Sequence, residues 1–109
     1  MGTGLTFDQH GNAISLAEWE RLFALRTDDL SNDSWWRRRT RIGDDVEVST
    51  VWIGINHGFG GGRPDIWETM IFGGDHDNWA WRYPTRAEAL DDHERICAKL
   101  RAGEPVGVL

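Results

Sequence analysis

Residues 35–55 read Trp35-Trp36-Arg37-Arg38-Arg39-Thr40-Arg41-Ile42-Gly43-Asp44-Asp45-Val46-Glu47-Val48-Ser49-Thr50-Val51-Trp52-Ile53-Gly54-Ile55. Aromatic and β-branched side chains dominate residues 35–42 and 46–55, and the Gly43-Asp44-Asp45 run between them consists of turn formers, so the stretch predicts a β-hairpin. The alternation in the second half is mixed. Val46, Val48 and Trp52 share one side while Val51, Ile53 and Ile55 share the other, so both faces carry apolar groups and one of them is expected to meet a partner.

Downstream, Gly58, Gly60, Gly61, Gly62 and Pro64 interrupt the strand chemistry, and residues 66–72 resume it. Residues 73–78 form a turn and residues 79–83 a last strand. Pro84 then separates that strand from a helix over residues 86–101, whose start is marked by Thr85 and Glu88 at capping-box spacing and whose end is marked by Gly103 and Pro105. Its inward stripe is Ala89, His93, Ile96, Cys97 and Leu100. Upstream, residues 5–9 predict a short strand and His10-Gly11-Asn12 a turn. Ser15 and Glu18 repeat the capping spacing before a helix over residues 16–26 with an apolar face of Leu16, Trp19, Leu22 and Phe23. The polar run 27–33 ends it, because short side chains that bond nearby backbone compete with helix. The expected fold is therefore α+β: an antiparallel sheet of four or five strands with two helices packed on one face, and Trp19, Phe23, Ile96 and Leu100 buried.

With 109 residues and neither a repeat nor a Pro/Ser-rich linker, the chain predicts a single domain over 1–109. Its net charge of -6 argues against a general affinity for DNA or anionic membranes. One cysteine, Cys97, excludes an intrachain disulfide and any zinc site built on several cysteines. No stretch is apolar for long enough to cross a membrane, and Met1 to Leu5 begins no charged-then-apolar leader, so a reducing, cytoplasmic setting is expected. The seven tryptophans are the compositional oddity. They fit a small domain that needs large side chains to fill its core, or an interface rich in aromatic anchors.

Several stretches, Val48-Ser49-Thr50-Val51-Trp52-Ile53-Gly54-Ile55-Asn56-His57-Gly58-Phe59-Gly60-Gly61-Gly62-Arg63-Pro64 and Ile66-Trp67-Glu68-Thr69-Met70-Ile71-Phe72-Gly73-Gly74 above all, resemble a family of small tailed-phage and prophage proteins. The resemblance extends to Asp8, Gly11, Asn12 and residues 15–19, and to Arg82-Tyr83, Thr85, Ala89 and His93. It implies phage or prophage origin and life inside a bacterial host, and it brings no assigned activity and no catalytic residue.

Among the candidate sites, the loop His57, Phe59, Gly60, Gly61, Gly62 and Arg63 can shape itself to a ligand, since glycine backbone approaches closely and Arg63 offers a charged fork. Neither standard glycine-loop fingerprint is present, because no lysine follows at P-loop spacing and a strand comes next. Trp67 and Trp79, on the strands beside it, are the expected exposed anchors. A basic stripe of Trp35, Arg37, Arg39 and Arg41 on one strand face is the alternative surface; it suits nucleic acid or an acidic protein, against a solvated hairpin paired with Asp44, Asp45 and Glu47. His57, Glu68, Asp75, His76 and Asp77 have metal or acid/base chemistry but no ligand spacing. His93 is expected to be a buried, hydrogen-bonded structural residue and Cys97 a core residue, while Ser49 and Thr50 lack a nucleophile elbow.

These readings point to an accessory protein that binds a host macromolecule without catalysis, with an anti-defence or host-takeover role. A nucleotide or small-molecule binder using loop 57–64 is the alternative, and a metal-dependent enzyme the third. No cofactor or metal is expected. A host protein is the expected partner ahead of nucleic acid.

Overall fold

The computed structural model describes residues 5–56 and 64–107. Its elements follow the order α1 (Leu16–Leu25), β1 (Arg37–Ile42), β2 (Val46–Trp52), β3 (Trp67–Phe72), β4 (Ala80–Tyr83) and α2 (Arg86–Ala102), with 3-10 turns at Arg26–Asp28 and Gly74–His76. The four strands form an antiparallel meander in the order β1-β2-β3-β4. The architecture is α+β, as the hairpin reading requires.

Both helix starts are built as their capping spacing predicts. Ser15 Oγ accepts the Glu18 N–H at 3.1 Å and Thr85 Oγ1 accepts the Glu88 N–H at 3.1 Å, each satisfying one of the free donors of a first turn. The two helices are used differently. α2 touches all four strands and buries Ala89, His93, Ile96 and Cys97. α1 buries no residue completely and meets the end of the sheet, where the Trp19 indole N–H donates to the Ile53 carbonyl at 3.0 Å and the Phe23 ring stands 6.4 Å from Trp52.

Paired residues of an antiparallel ladder point to the same side, so the register assigns the two faces. Thr40 pairs with Val48, Val48 with Ile71, Thr50 with Thr69, Trp52 with Trp67, and Thr69 with Trp81. That face lies under α2. Its core consists of two apolar clusters: Phe7, Trp36, Trp52, Ile66, Trp67 and Ala89 toward one end of the strands, and Val48, Ile71, Ile96, Cys97 and Val106 toward the other. Between them lies a polar layer. His93 is fully buried, its Nε2 is 2.8 Å from Thr40 Oγ1, its Nδ1 is 2.8 Å from Thr50 Oγ1, and Thr50 Oγ1 is 2.6 Å from Thr69 Oγ1.

Gly54 explains why β2 carries apolar groups on both sides in the sequence. At φ +68° the chain turns out of the ladder, and a Cβ there would stand 2.5 Å from the Trp52 ring and 2.6 Å from the Trp19 indole nitrogen, so only glycine fits. Ile53 and Ile55 therefore leave the sheet, and Val51 alone of that apolar row stays on the opposite face. The short strand expected over residues 5–9 reduces to isolated bridges, Thr6 with Ile55 and Phe7 with Ala13, so the sheet has four strands. Phe23, expected in the core, remains 38% exposed, because α1 packs on the sheet end rather than across the strands. Trp19 and Leu100 are half-buried, and Ile96 is buried as expected.

Candidate binding surface

The second face of the sheet carries Arg37, Arg39 and Arg41 on β1, Glu47, Ser49 and Val51 on β2, Glu68, Met70 and Phe72 on β3, and Ala80 and Arg82 on β4. α2 lies on the opposite face. Charge alternates across this surface. Arg39 forms a two-pronged pair with Glu47, its Nε at 2.9 Å and its Nη2 at 2.8 Å from the carboxylate oxygens, and Arg82 Nε lies 3.2 Å from Glu68. The Arg39 hydrogen bond and charge, with Arg41 and Arg37 adding to the field, hold the Glu47 carboxyl below its ordinary range despite partial burial.

Arg37 and Arg41 are held by backbone. Arg37 donates to the carbonyls of Leu30 and Ser31, and Arg41 Nη2 donates to the Asp44 carbonyl at 2.9 Å. Neither has a carboxylate in salt-bridge contact among the described residues, so the β1 row keeps a local positive excess in an acidic protein. The expected common face of Arg37, Arg39 and Arg41 is present. Trp35 does not join it: the residue precedes β1 and its ring stands 5.6 Å from Trp52, packed against the core.

The loop-centred surface is placed only in part. His57, Phe59, Gly60, Gly61, Gly62 and Arg63 lie outside the described residues. Trp67 is not a surface anchor: it is fully buried opposite Trp52 in the ladder, within the apolar cluster at that end of the strands. Trp79 is exposed, at 43%, but it precedes β4 at the far end of the β3–β4 hairpin from residue 64. The six residues of β3 separate the two ends by about 20 Å of strand. Trp79 therefore stands apart from residue 64, with its ring 4.6 Å from His76 and 6.1 Å from Trp81.

Among the titratable candidates, Glu68 and Asp77 are tied to structural tasks, and His57 lies outside the described residues. Glu68 is paired with Arg82, and Asp77 Oδ1 accepts the Gly73 N–H at 2.7 Å, closing the turn before β4. No group of three His, Cys, Asp or Glu side chains that could hold a metal ion occurs among the described residues. Burial depresses the pKa of His93 below its ordinary value and raises that of Cys97, which favours the neutral imidazole and the neutral thiol in the core. On the flank of α2, the Tyr83 hydroxyl donates to Asp92, and burial followed by that hydrogen bond raises the phenol's pKa. The sequence reading missed the links of Thr40 and Thr50 to His93 and of Thr69 to Thr50. Threonine on a strand is ordinary, and only the shared face of the three positions signals the layer.

No family model matches the chain, and neither the curated proteins nor the solved structures contain a match.

Proposed function

We propose that this chain is a phage or prophage accessory protein that binds a host protein without catalysing a reaction, in a host-takeover or anti-defence role. The observation that carries the reading is the contrast between the two sheet faces: one is closed by α2 over a buried core, and the other presents arginines, carboxylates, Met70 and Phe72 on a rigid ladder. An open sheet face of this kind, mixing charged and apolar side chains, suits a protein partner. The cationic row on β1 supports an acidic patch on that partner, because Arg37 and Arg41 keep charge that no contacting carboxylate neutralises among the described residues.

The test is affinity capture of the purified chain from host lysate, run in parallel with Arg41→Glu and Met70→Asp variants whose thermal unfolding matches the parent. A stoichiometric host protein held by the parent and weakened about tenfold or more by either variant supports the reading. A partner held equally by both variants removes the open face from the interface. The alternative, a nucleotide or small molecule held by loop 57–64, is read from the same preparation: a ligand released on denaturation would favour it.

A further inference from the structure

The two edges of the sheet are finished differently. Along β1, residues 32–34 fold back on the strand: Asp33 bridges Arg38, the Ser34 N–H donates to the Arg37 carbonyl at 2.8 Å, and the Arg39 N–H donates to the Asn32 carbonyl at 2.7 Å. That edge is covered. β4 pairs with β3 alone, and no other described segment bonds to its outer side. The Ile71 N–H donates to the Trp79 carbonyl and the Ile66 N–H to the Tyr83 carbonyl, so odd-numbered residues of this strand turn their backbone groups inward. By the alternation of an antiparallel ladder, Ala80 and Arg82 turn theirs outward, and both residues are exposed. Among the described residues, two N–H and two C=O groups therefore stand unpaired on this edge, with neither a lysine nor a proline within the strand.

We propose that this edge pairs with the same edge of a second copy of the chain, making one continuous sheet of eight strands around a twofold axis at Trp81. Self-pairing is singled out by the sequence of the edge. With the axis at Trp81, Ala80 faces Arg82 of the other copy and exchanges both backbone hydrogen bonds with it, and the reciprocal pair does the same. Small opposes large, and no like charges meet on that face. On the other face, Trp81 opposes its own copy and Trp79 opposes Tyr83, placing aromatic pairs at the closely spaced positions of the ladder. The neighbouring registers fail for stated reasons. Moving the axis to Arg82 sets two guanidiniums directly opposite each other and asks Pro84 for an N–H that it lacks. Moving it to Ala80 sets Arg82 against Asn78, whose φ of +70° is outside the strand region. Trp79, the exposed tryptophan on this hairpin, is covered by Tyr83 of the other copy in the first arrangement.

Sedimentation of the full chain over a concentration series, from micromolar to millimolar, gives the association state, and amide exchange at the two ends of the series locates the contact. The expected result is a reversible monomer–dimer equilibrium in which the Ala80 and Arg82 amides exchange at least about tenfold more slowly in the dimer. Arg82→Pro, which removes an outward N–H together with the Glu68 pair, is expected to shift the equilibrium to monomer, and Arg82→Ala, which loses the pair and keeps the N–H, is expected to leave a dimer. A chain that stays monomeric to millimolar concentration overturns the proposal. So does a dimer in which those two amides exchange as fast as in the monomer, and this second outcome is read on the unmodified protein.

Discussion

Thr50→Val keeps the shape of a buried strand residue and removes one hydroxyl. That oxygen is 2.8 Å from His93 Nδ1 and 2.6 Å from Thr69 Oγ1, so both contacts vanish together. Each hydrogen bond is worth about 1 kcal/mol net, and a ring nitrogen left without a partner in a dry site costs about 1–3 kcal/mol. The added methyl recovers part of this by burying apolar surface. The expected loss is about 2–4 kcal/mol, large beside the usual stability of a small domain. Urea unfolding measures it, with an unchanged m-value showing that the same surface is exposed. The partner variant Thr69→Val supplies the control: combined with Thr50→Val it should cost less than the sum of the two, since the bond between the hydroxyls can be lost only once. A loss below about 0.5 kcal/mol at constant m would refute the reasoning, because it would mean that the layer contributes no hydrogen bonding that solvent does not replace.

The same layer sets an acid limit. Burial lowers the pKa of His93 in the folded chain, so just below its ordinary value of 6.5 the unfolded chain binds a proton that the folded one does not. Stability is therefore whole above that value and falls as pH falls through it, and the slope, followed by urea midpoints across this window, should flatten in His93→Gln. Gly73→Ala should destabilise by about 2–5 kcal/mol: a Cβ there would stand 1.9 Å from the Asp45 carbonyl oxygen on a backbone at φ +88°, combining a clash with left-handed strain, and thermal unfolding reads it. Trp67→Ala should cost about 3–5 kcal/mol while Phe23→Ala costs about 1–2, because the first empties the core and the second trims a half-exposed ring; equal losses in urea unfolding would contradict the difference in burial. Cys97 should resist a thiol reagent in the folded chain and react at the rate of unfolding, as fits a buried thiol with a raised pKa.

The helices and the hairpin are legible in the sequence because their signals are local. Ser15 with Glu18 and Thr85 with Glu88 state where each helix begins, and Gly43-Asp44-Asp45 states where the chain reverses. What packs against each helix is a matter of distant residues, and there the reading fails for α1. Its apolar stripe is as regular as a core helix requires, yet the positions that receive it, Trp52 and Ile53, lie at the end of β2 and cover only part of Phe23. Trp67 and Trp79 present a second limit. Both are tryptophans near glycine-rich turns, and composition gives no means of separating them. Register does: Trp67 shares a ladder position with Trp52 under α2, whereas Trp79 falls beyond the end of β4. The arginine row is legible from alternation alone, while its partners Leu30, Ser31 and Asp44 are backbone carbonyls that no side-chain pattern advertises.

The polar layer also bears on which strand pairings the chain refuses. Sliding β2 by two residues along β3 would leave every apolar side chain on its proper face, so hydrophobicity alone would tolerate the mistake. In the native ladder Thr50 meets Thr69; after such a slip it would meet Ile71 or Trp67, and Thr69 would meet Trp52 or Val48. Each hydroxyl would then be buried against hydrocarbon, and His93 would lose its contact at Nδ1. The layer thus acts as a key cut for one alignment, penalising misfolded neighbours that an unbroken apolar core would accept.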